Sequence, residues 1–424
     1  MKKVLAMILA GGRVDELSVL TIYRPKSAVP FGGMYRVIDF PLSNLMHSGI
    51  EKVGILSQYR STSLINQIKH GEPWDFTGRN RGTFLLPPSR GYRASDWYKG
   101  PADAVYQNLE FIQEQEPELV LILSGDHIYK MDYQPLIEFH QRMGAELTVV
   151  FKQVKMEEAS RFGLAEIDDT GGEQGGRITN YQEKPEKPTS NWASLTIYLF
   201  NPPVLEEVLR ENRKLRKTYE FGRDIIPRMI GKYQVYGYKF YGYWGYTRTI
   251  EEYWQTNMDL LGDSPKIDLE AWEIRTNLEH RGIRDRVPTQ IGPQAQITDS
   301  LIYNGCRIEG NIIHSILFPG VQVEKGAEVR DSIIMFDTVI QQAAILDKVI
   351  VDTDGQIGAG CYLGYGDDFT PNKEQKSLSS GITVVGRWAV IPPEVKIGRN
   401  CVIYPRCRKE HFKKKLIKSG ETVR

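Results

Sequence analysis

Between residues 4 and 154 the chain alternates short apolar runs with amphipathic segments. The apolar runs have the length of strands and are rich in Val, Ile and Leu: VLAMILA (4–10), KVGILS (52–57), LVLILSGD (119–126) and LTVVFKQV (147–154). Continuous runs of this kind are typical of parallel strands that are covered on both faces. The intervening segments have helical spacing: SLINQIKHG (63–71), DAVYQNLEFIQEQ (103–115) and YQPLIEFHQRMG (133–144). The pattern predicts an α/β domain with a doubly wound, mostly parallel sheet, whose ligands lie outside the carboxyl ends of the strands.

A different period follows, in which apolar residues recur at every sixth position. Three sets keep this phase: Val323, Val329 and Met335; Val339, Ile345, Val351, Ile357 and Leu363; and Val385, Ile391, Ile397 and Ile403. A six-residue repeat is typical of a parallel β-helix, in which each hexad forms one side of a coil. We therefore predict a first domain over 1–265, a linker over 266–285, a left-handed parallel β-helix over 286–408 and a basic tail over 409–424.

Composition adds few constraints to this picture. The 424 residues include 54 basic and 53 acidic side chains, which leaves a net charge of +1 and favours neither a nucleic-acid nor a membrane partner. The start, MKKVLAMILAGG, runs directly into two glycines, so we expect a first buried strand rather than a secretion signal. The four cysteines show no metal or disulfide spacing, which predicts free thiols and a cytoplasmic protein.

Three motifs follow the predicted strands or lie between them. Gly11 and Gly12 end the first run, and glycines let a phosphate approach the backbone. Asp126 ends the third run in LSGDHIYKMDY, and its carboxylate suits a hard cation, although a lone Asp there can also cap a helix. Together with the segment RPKSAVPFGG (24–33) and the hexads, these motifs resemble the ADP-glucose pyrophosphorylase (glucose-1-phosphate adenylyltransferase) family over nearly the whole chain.

The resemblance implies a nucleotidyltransferase that condenses a nucleoside triphosphate with glucose 1-phosphate in the presence of Mg²⁺. ATP is the triphosphate that it favours. It implies that Asp126 ligates the metal and that Lys26 and Arg13 face the triphosphate. The nucleotide-binding residues that it implies are Gly11, Gly12, Gln58, Tyr98 and Gly100. The sugar-phosphate residues that it implies are Glu183, Lys184, Ser194 and Asp224. For Asp224, a structural role as a helix cap is an open alternative.

The chain departs from the family pattern at two positions that carry charge. The family has a second arginine after its glycine loop, where this chain has Glu16, and a second metal-binding aspartate, where this chain has Tyr246. At about 4 Å and an effective dielectric constant of 20, a pair of wrong sign costs on the order of 4 kcal/mol. Arg13 or Arg248 could replace the lost cation.

These departures leave two hypotheses open. In the first, the chain is an active sugar-nucleotide pyrophosphorylase that supplies the glucosyl donor for glycogen or a related glucan. In the second, it is a non-catalytic regulatory subunit or sugar-phosphate sensor that modulates an intact family member. A third hypothesis, acyl transfer by the hexad domain, would need a base, and His314 is the histidine that the hexads offer.

The resemblance also implies partners beyond the substrates. We expect a homotetramer, or a hetero-oligomer with an intact family member, built through the β-helix. We further expect a phosphorylated metabolite to act as an effector at the junction of the two domains.

Overall fold

The computed structural model describes residues 3–12, 14–88, 97–215 and 218–424, which form an α/β domain followed by a β-helix. Arg13, one of the residues predicted at the triphosphate, lies outside the described residues. None of the helices in the described ranges is both long and apolar enough to cross a membrane.

The α/β domain alternates strands and helices as the sequence predicts. Its described strands are β1 Val4–Leu9, β2 Pro30–Phe31, β3 Tyr35–Arg36, β4 Lys52–Leu56, β5 Gly82–Leu86, β6 Leu119–Ser124, β7 His127–Tyr129, β8 Leu147–Gln153, β9 Gly163–Ile167, β10 Gly175–Glu183, β11 Trp192–Phe200, β12 Val235–Lys239 and β13 Trp244–Tyr246. Its described α-helices are α1 Asp39–His47, α2 Thr62–Ile68, α3 Pro101–Gln107, α4 Leu109–Gln115, α5 Gln134–Arg142, α6 Met156–Ala159, α7 Pro202–Leu215, α8 Ile226–Met229 and α9 Ile250–Met258.

The central sheet has the order β5-β4-β1-β6-β11-β8-β12-β10-β9 in the described residues. Three of the four predicted apolar runs, β4, β1 and β6, lie together and pair in parallel, and β5 adds to β4 in parallel. The fourth run, β8, is separated from them by β11 and pairs in parallel with β12. β11 runs antiparallel between β6 and β8, and β9 and β10 form an antiparallel hairpin, so this half of the sheet is mixed. β1 and β6 lie side by side near the centre, and their carboxyl ends place Gly11 and Asp126 at one edge.

The hexads form the sides of a parallel β-helix. Its described strands are β14 Gln290–Ile291, β15 Gln296–Thr298, β16 Leu301–Ile302, β17 Arg307–Ile308, β18 Asn311–Ile313, β19 Ile316–Leu317, β20 Gln322–Val323, β21 Glu328–Arg330, β22 Ile333–Ile334, β23 Val339–Ile340, β24 Ile345–Asp347, β25 Val349–Val351, β26 Gln356–Ile357, β27 Tyr362–Leu363, β28 Thr383–Val385, β29 Val390–Ile391, β30 Lys396–Ile397, β31 Val402–Ile403, β32 Leu416–Ile417 and β33 Thr422–Val423. They stack into three parallel sheets, as expected for the left-handed β-helix predicted from the repeat.

The predicted phase of the repeat is wrong by one residue at three positions. Ile334, Ile340 and Leu346 fill the interior of the β-helix. Their neighbours do not: Met335 packs in the cluster shared with the α/β domain, and Val339 and Ile345 are only partly buried. Both neighbours of each pair are apolar, so the sequence pattern does not distinguish them.

One face of the β-helix is apolar on both sides because it carries the α/β domain. Ile316, Ile333 and Met335 point out of the β-helix, and they pack in one cluster with Leu17 and Phe31. A sheet that is buried on both faces needs apolar residues at consecutive positions. This packing explains the continuous apolar segments in that sheet.

The predicted basic tail over 409–424 is not a separate tail. Leu416–Ile417 pairs with Lys396–Ile397, and Thr422–Val423 pairs with Val402–Ile403, so this segment forms a further turn of the β-helix. Ile417 and Val423 of this segment are buried in the same core, and the lysines at 413–415 and 418 hide this pattern in the composition.

Candidate active site

A cavity of about 320 Å³ opens at the carboxyl ends of the central strands. Four of the predicted site residues line it: Asp126, Glu183, Lys184 and Ser194. Arg161, Tyr246 and Arg248 line the same cavity. The structure thus joins the predicted metal ligand and three of the predicted sugar-phosphate residues in one space.

Lys26 and Asp126 form a close ion pair at the edge of the cavity. The Nζ of Lys26 lies 2.8 Å from Oδ2 of Asp126, and the lysine side chain is only 3% exposed. The hydroxyl of Ser124 donates to the other carboxylate oxygen, and Nε2 of His127 lies 3.4 Å from it. Burial raises the pKa of the Asp126 carboxyl, but Lys26, His127 and Ser124 together hold it well below its ordinary value. Asp126 is therefore a permanent anion, and Lys26 is not an exposed surface lysine.

The chemistry of Asp126 fits a divalent cation held jointly with a substrate. Its side chain is 26% exposed toward the cavity. In the described ranges, no cluster of three or more His, Cys, Asp or Glu side chains is arranged to hold a metal ion. A cation bound through one carboxylate and substrate phosphates is the usual arrangement for Mg²⁺ in phosphoryl-transfer sites.

The glycine loop lies against the lysine segment. The N–H of Lys26 donates to the carbonyl of Gly12 at 3.3 Å. A Cβ at Gly11 would come within 2.9 Å of the backbone nitrogen of Gln58, so a side chain does not fit there. At Gly12 a Cβ would meet nothing within 4 Å, which leaves that part of the backbone open to a ligand.

Gln58, Tyr98 and Gly100 come together beside this loop. The side-chain amide of Gln58 pairs with the backbone of Tyr98, accepting from its N–H at 2.8 Å and donating to its carbonyl at 3.2 Å. The Tyr98 ring is buried, and its hydroxyl donates to the carbonyl of Leu86 at 2.9 Å. A Cβ at Gly100 would lie 2.8 Å from the carbonyl oxygen of Tyr219. These contacts hold Gln58 and the backbone of residues 98–100 in place, which is a structural role for all three residues.

The Glu183 carboxylate is held in a cradle of backbone. Its Oε2 accepts from the hydroxyl of Tyr181 at 3.2 Å. A Cβ on Gly222 would lie 2.2 Å from the same oxygen, and a Cβ on Gly163 would lie 2.6 Å from it. Lys184 follows with a left-handed backbone (φ 49°) that turns its side chain along the cavity.

Ser194 and Thr196 lie where β11 breaks its pairing with β8. The register between the two strands shifts between Ser194 and Tyr198, and Thr196 has a φ of 55°. A β-branched residue in the left-handed region is strained. Such strain is common at functional sites, and both residues line the cavity.

Asp224 lies beside the cavity and orders its wall. Its Oδ2 accepts from the hydroxyl of Thr218 at 2.7 Å and from the N–H of Glu220 at 3.0 Å. Glu220 and Gly222 line the cavity, whereas Asp224 itself is buried behind them. Its contacts are structural, but Asp224 lies within the helical turn Phe221–Ile225 and Glu220 is at the N-cap, so the capping alternative is wrong in its position.

Arg248 contacts both Glu16 and Tyr246. The guanidinium of Arg248 lies 3.3 Å from Oε1 of Glu16 and donates to the hydroxyl of Tyr246 at 3.3 Å. The Tyr246 ring stacks on Trp244, with ring centroids 5.2 Å apart, and the Nζ of Lys26 lies 5.4 Å from its centroid. Burial raises the pKa of Tyr246, so the phenol is neutral. Burial lowers the pKa of Arg248, but Tyr246 and Glu16 more than offset this effect and raise it.

Arg161 is a cavity residue that the sequence motifs did not reveal. It lines the cavity, forms an ion pair with Glu252 and lies 5.8 Å from the Tyr246 ring centroid. An arginine before Phe-Gly carries no signal of its own. His314, the candidate base of the acyl-transfer hypothesis, instead pairs with Asp331 at 2.7 Å at a corner of the β-helix.

Comparisons with known proteins agree with this architecture. Residues 5–262 match the nucleotidyl transferase family model, and residues 286–385 match the model of the GlmU-like C-terminal hexapeptide. The glucose-1-phosphate adenylyltransferase of Thermomicrobium roseum is 46% identical over 429 residues, covering 100% of this chain and 98% of that protein. The enzymes of the same name from Thermotoga neapolitana and Acetivibrio thermocellus are 43% and 39% identical, each over 100% of this chain and 99% and 98% of their own lengths.

Proposed function

The chain belongs to the glucose-1-phosphate adenylyltransferase family, and from this premise we propose that it converts ATP and glucose 1-phosphate into ADP-glucose and pyrophosphate. A phosphate oxygen of glucose 1-phosphate forms a bond to the α-phosphorus of ATP, and the bond from that phosphorus to the bridging oxygen breaks. The product ADP-glucose is a glucosyl donor for glucan synthesis.

The observation that carries the proposal is the cavity in which Asp126, the ion-pair partner of Lys26, meets Glu183 and Lys184. Both substrates are phosphates, so the reaction needs cations and a rigid frame more than it needs a nucleophile from the protein. Lys26 is held by Asp126 beside the open backbone of Gly12, which supports a role at the nucleotide. Lys184 and Glu183 share the cavity with Asp126, which supports binding of the sugar phosphate and its hydroxyls.

We propose Mg²⁺ as the divalent cation. Asp126 would hold it together with phosphate oxygens of the nucleotide, and when bound it supplies neutralisation of phosphate charge. The protein itself provides the fixed anion at Asp126, since Lys26, Ser124 and His127 keep that carboxylate ionised. Lys26 orients the carboxylate through its 2.8 Å contact.

We also propose an anionic effector site at the junction of the two domains. Arg24 and Arg36 of the α/β domain are buried there, and Arg387 of the β-helix packs 4.2 Å from the Trp388 ring centroid. Burial and then Arg24 lower the pKa of Arg387, which reports a crowded group of cations. Arg24 pairs with Asp352 at 2.6 Å and Arg387 with Asp354 at 3.7 Å, so a phosphorylated metabolite would bind these arginines in competition with the two carboxylates.

The proposed assembly is a tetramer built through the β-helix, in the cytoplasm. Apolar side chains on the outer faces of its first coils support such contacts, since Ile291, Ile297 and Ile313 are 60%, 37% and 40% exposed. The four cysteines are buried and free, which suits a reducing compartment.

Pyrophosphate release by the purified chain tests the proposal. We expect release with glucose 1-phosphate and ATP that exceeds release with the other three triphosphates. Asp126→Asn should abolish it and keep the fold, and Asp132→Asn, whose carboxylate accepts from the N–H of Gln134 at 2.9 Å outside the cavity lining, is the matched control. A chain that binds glucose 1-phosphate but releases no pyrophosphate alone would instead be a modulatory subunit, and adding an intact family member would then reveal its effect.

A further inference from the structure

The cations around the cavity differ in how firmly their partners hold them. Lys26 is buried against Asp126, and Arg161 is paired with Glu252. Arg248 is held by Glu16 in a 3.3 Å contact in which the two side chains are 40% and 39% exposed. An exposed pair of this kind contributes little, about 0–1 kcal/mol, so an incoming anion can replace Glu16 at low cost.

Arg248 also has the position and shape that a phosphate requires. It lines the cavity with Asp126, and its contact with Tyr246 leaves the guanidinium fixed at one end. A guanidinium can form two parallel hydrogen bonds to a phosphate. The contact of Arg248 with a single carboxylate oxygen of Glu16 does not prevent this.

The neighbours of Arg248 indicate which phosphate it meets. Glu16 follows the glycine loop by four residues, and its carbonyl accepts from the side chain of Gln375 at 2.7 Å, which fixes that loop. Glu183 contacts Tyr181 and lies against the backbone of Gly222, in another wall of the cavity. Arg248 thus contacts the segment that follows the glycine loop through Glu16, and it lines the same cavity as Asp126, the residue proposed to hold the cation of the nucleotide.

We propose that Arg248 binds the triphosphate of the nucleotide, and that Glu16 is a positioning residue that holds the guanidinium until the nucleotide displaces it. This inference rests on the proposed function, because it takes the nucleotide to be a substrate of the cavity. It assigns the phosphate-binding cation to a side chain that comes from the segment between β13 and α9, whereas the glycine loop contributes the competing anion.

Equilibrium binding of ATP with Mg²⁺, measured by calorimetry, tests the inference separately from turnover. Arg248→Ala should weaken ATP binding roughly tenfold to a hundredfold, the loss expected for a charged hydrogen-bond pair, and leave binding of glucose 1-phosphate within about twofold. Arg248→Lys should recover only part of the loss, since an ammonium lacks the fork. Glu16→Gln should tighten ATP binding, because the competing anion is gone. Arg210→Ala removes an exposed arginine that pairs with Glu206 on α7, and it is the matched control.

The outcomes separate this inference from the proposed function. Unchanged ATP binding by Arg248→Ala, equal weakening of both substrates, or weaker ATP binding by Glu16→Gln would overturn it. A wild-type chain that binds ATP through Arg248 but releases no pyrophosphate would overturn the proposed function and leave the inference standing. A wild-type chain that releases pyrophosphate, with ATP binding that Arg248→Ala leaves unchanged, would support the proposed function and overturn the inference.

Discussion

At the scale of single residues, Arg248 connects the two departures from the family pattern. Its guanidinium pairs with Glu16 and donates to the hydroxyl of Tyr246. The sequence showed that positions 16 and 246 had changed, but it could not show that Glu16 and Arg248 meet, since 232 residues separate them. By contrast, Asp126 and Lys26 could be recognised as candidate site residues from the sequence, because each lies in a continuous motif of neighbouring residues.

Restoring the family pattern should therefore harm this chain. In Glu16→Arg with Tyr246→Asp, two guanidinium groups would face each other, and a carboxylate would replace a ring that packs on Trp244, Phe162 and His127. Removing a fully buried aromatic ring costs about 3–5 kcal/mol, and loss of the partly buried Tyr246 ring should cost less than this. We expect turnover to fall at least about tenfold, corresponding to roughly 1.4 kcal/mol of transition-state stabilisation. Steady-state pyrophosphate release measures the turnover, and Tyr246→Phe, which keeps the ring, is the control. Higher turnover in the double variant than in the wild type would contradict this prediction and indicate that the wild-type triphosphate site has lost function.

Replacing Thr196 with glycine should stabilise the folded protein. Its φ of 55° costs a non-glycine residue about 1–2 kcal/mol, and the greater freedom of glycine in the unfolded chain returns part of that gain. We expect Thr196→Gly to raise the free energy of unfolding by about 0.5–1 kcal/mol in urea, while Thr196→Ala, which keeps the Cβ, brings no gain. Equal stabilisation by both variants would mean that the hydroxyl, and not the backbone, is the unfavourable feature.

At the scale of elements, periodicity predicted more than local detail. The period of six predicted the β-helix, yet it could not choose between Val339 and Ile340, nor recognise strands in the basic segment after 408. The start of α9 is encoded locally, since Thr249 and Glu252 form a capping box. The antiparallel position of β11 could not be read locally, because strand order depends on pairing between distant segments.

Two buried asparagines hold the polar loop over 366–380: Asn372, whose Oδ1 accepts from the N–H groups of Glu374 and Gln375, and Asn400. Asn400, which is fully buried, donates to the carbonyls of Phe369 and Thr370 at 3.0 and 3.1 Å and accepts from the N–H of Gly381 at 2.6 Å. Its φ of 56° is one that asparagine tolerates.

Asn400→Ala should loosen this loop and destabilise the β-helix. Leaving those buried groups without partners should lower the free energy of unfolding by about 2–3 kcal/mol. Asn400→Gly, which accepts the backbone but also lacks the amide, should lower it slightly less. Denaturant unfolding gives the values, and limited proteolysis should detect earlier cleavage within 366–380. A loss below about 0.5 kcal/mol for both variants would mean that water replaces the amide.

At the scale of the whole molecule, the domain junction combines an apolar sheet with a group of cations. Tyr303 of the β-helix donates to the carbonyl of Gly32 at 2.5 Å, and Arg24 pairs with Asp352 at 2.6 Å. His280, from the predicted linker, lies between the domains, with Arg36 at 3.4 Å and the ring centroid of Phe336 at 6.1 Å. Burial, followed by Arg36, Arg387 and further cations, lowers the pKa of His280 to about 3.

The junction should therefore lose stability in mild acid through His280. The native state keeps this imidazole neutral, whereas the unfolded chain takes up its proton near the ordinary pKa of about 6.5. The stability that the neutral form contributes is complete above that pH and is lost as pH falls from about 6.5 toward 3.

Between pH 7.5 and pH 5, the wild type should lose about 1–2 kcal/mol more than His280→Asn, whose amide oxygen can still accept from Gly282 but does not titrate. Urea unfolding at the two pH values measures the difference, and His70→Asn, at an exposed histidine, should behave as the wild type does. An acid loss that is the same in wild type and His280→Asn would place the pH sensitivity in other groups, and the cations at the junction would then not be close enough to His280 to control its charge.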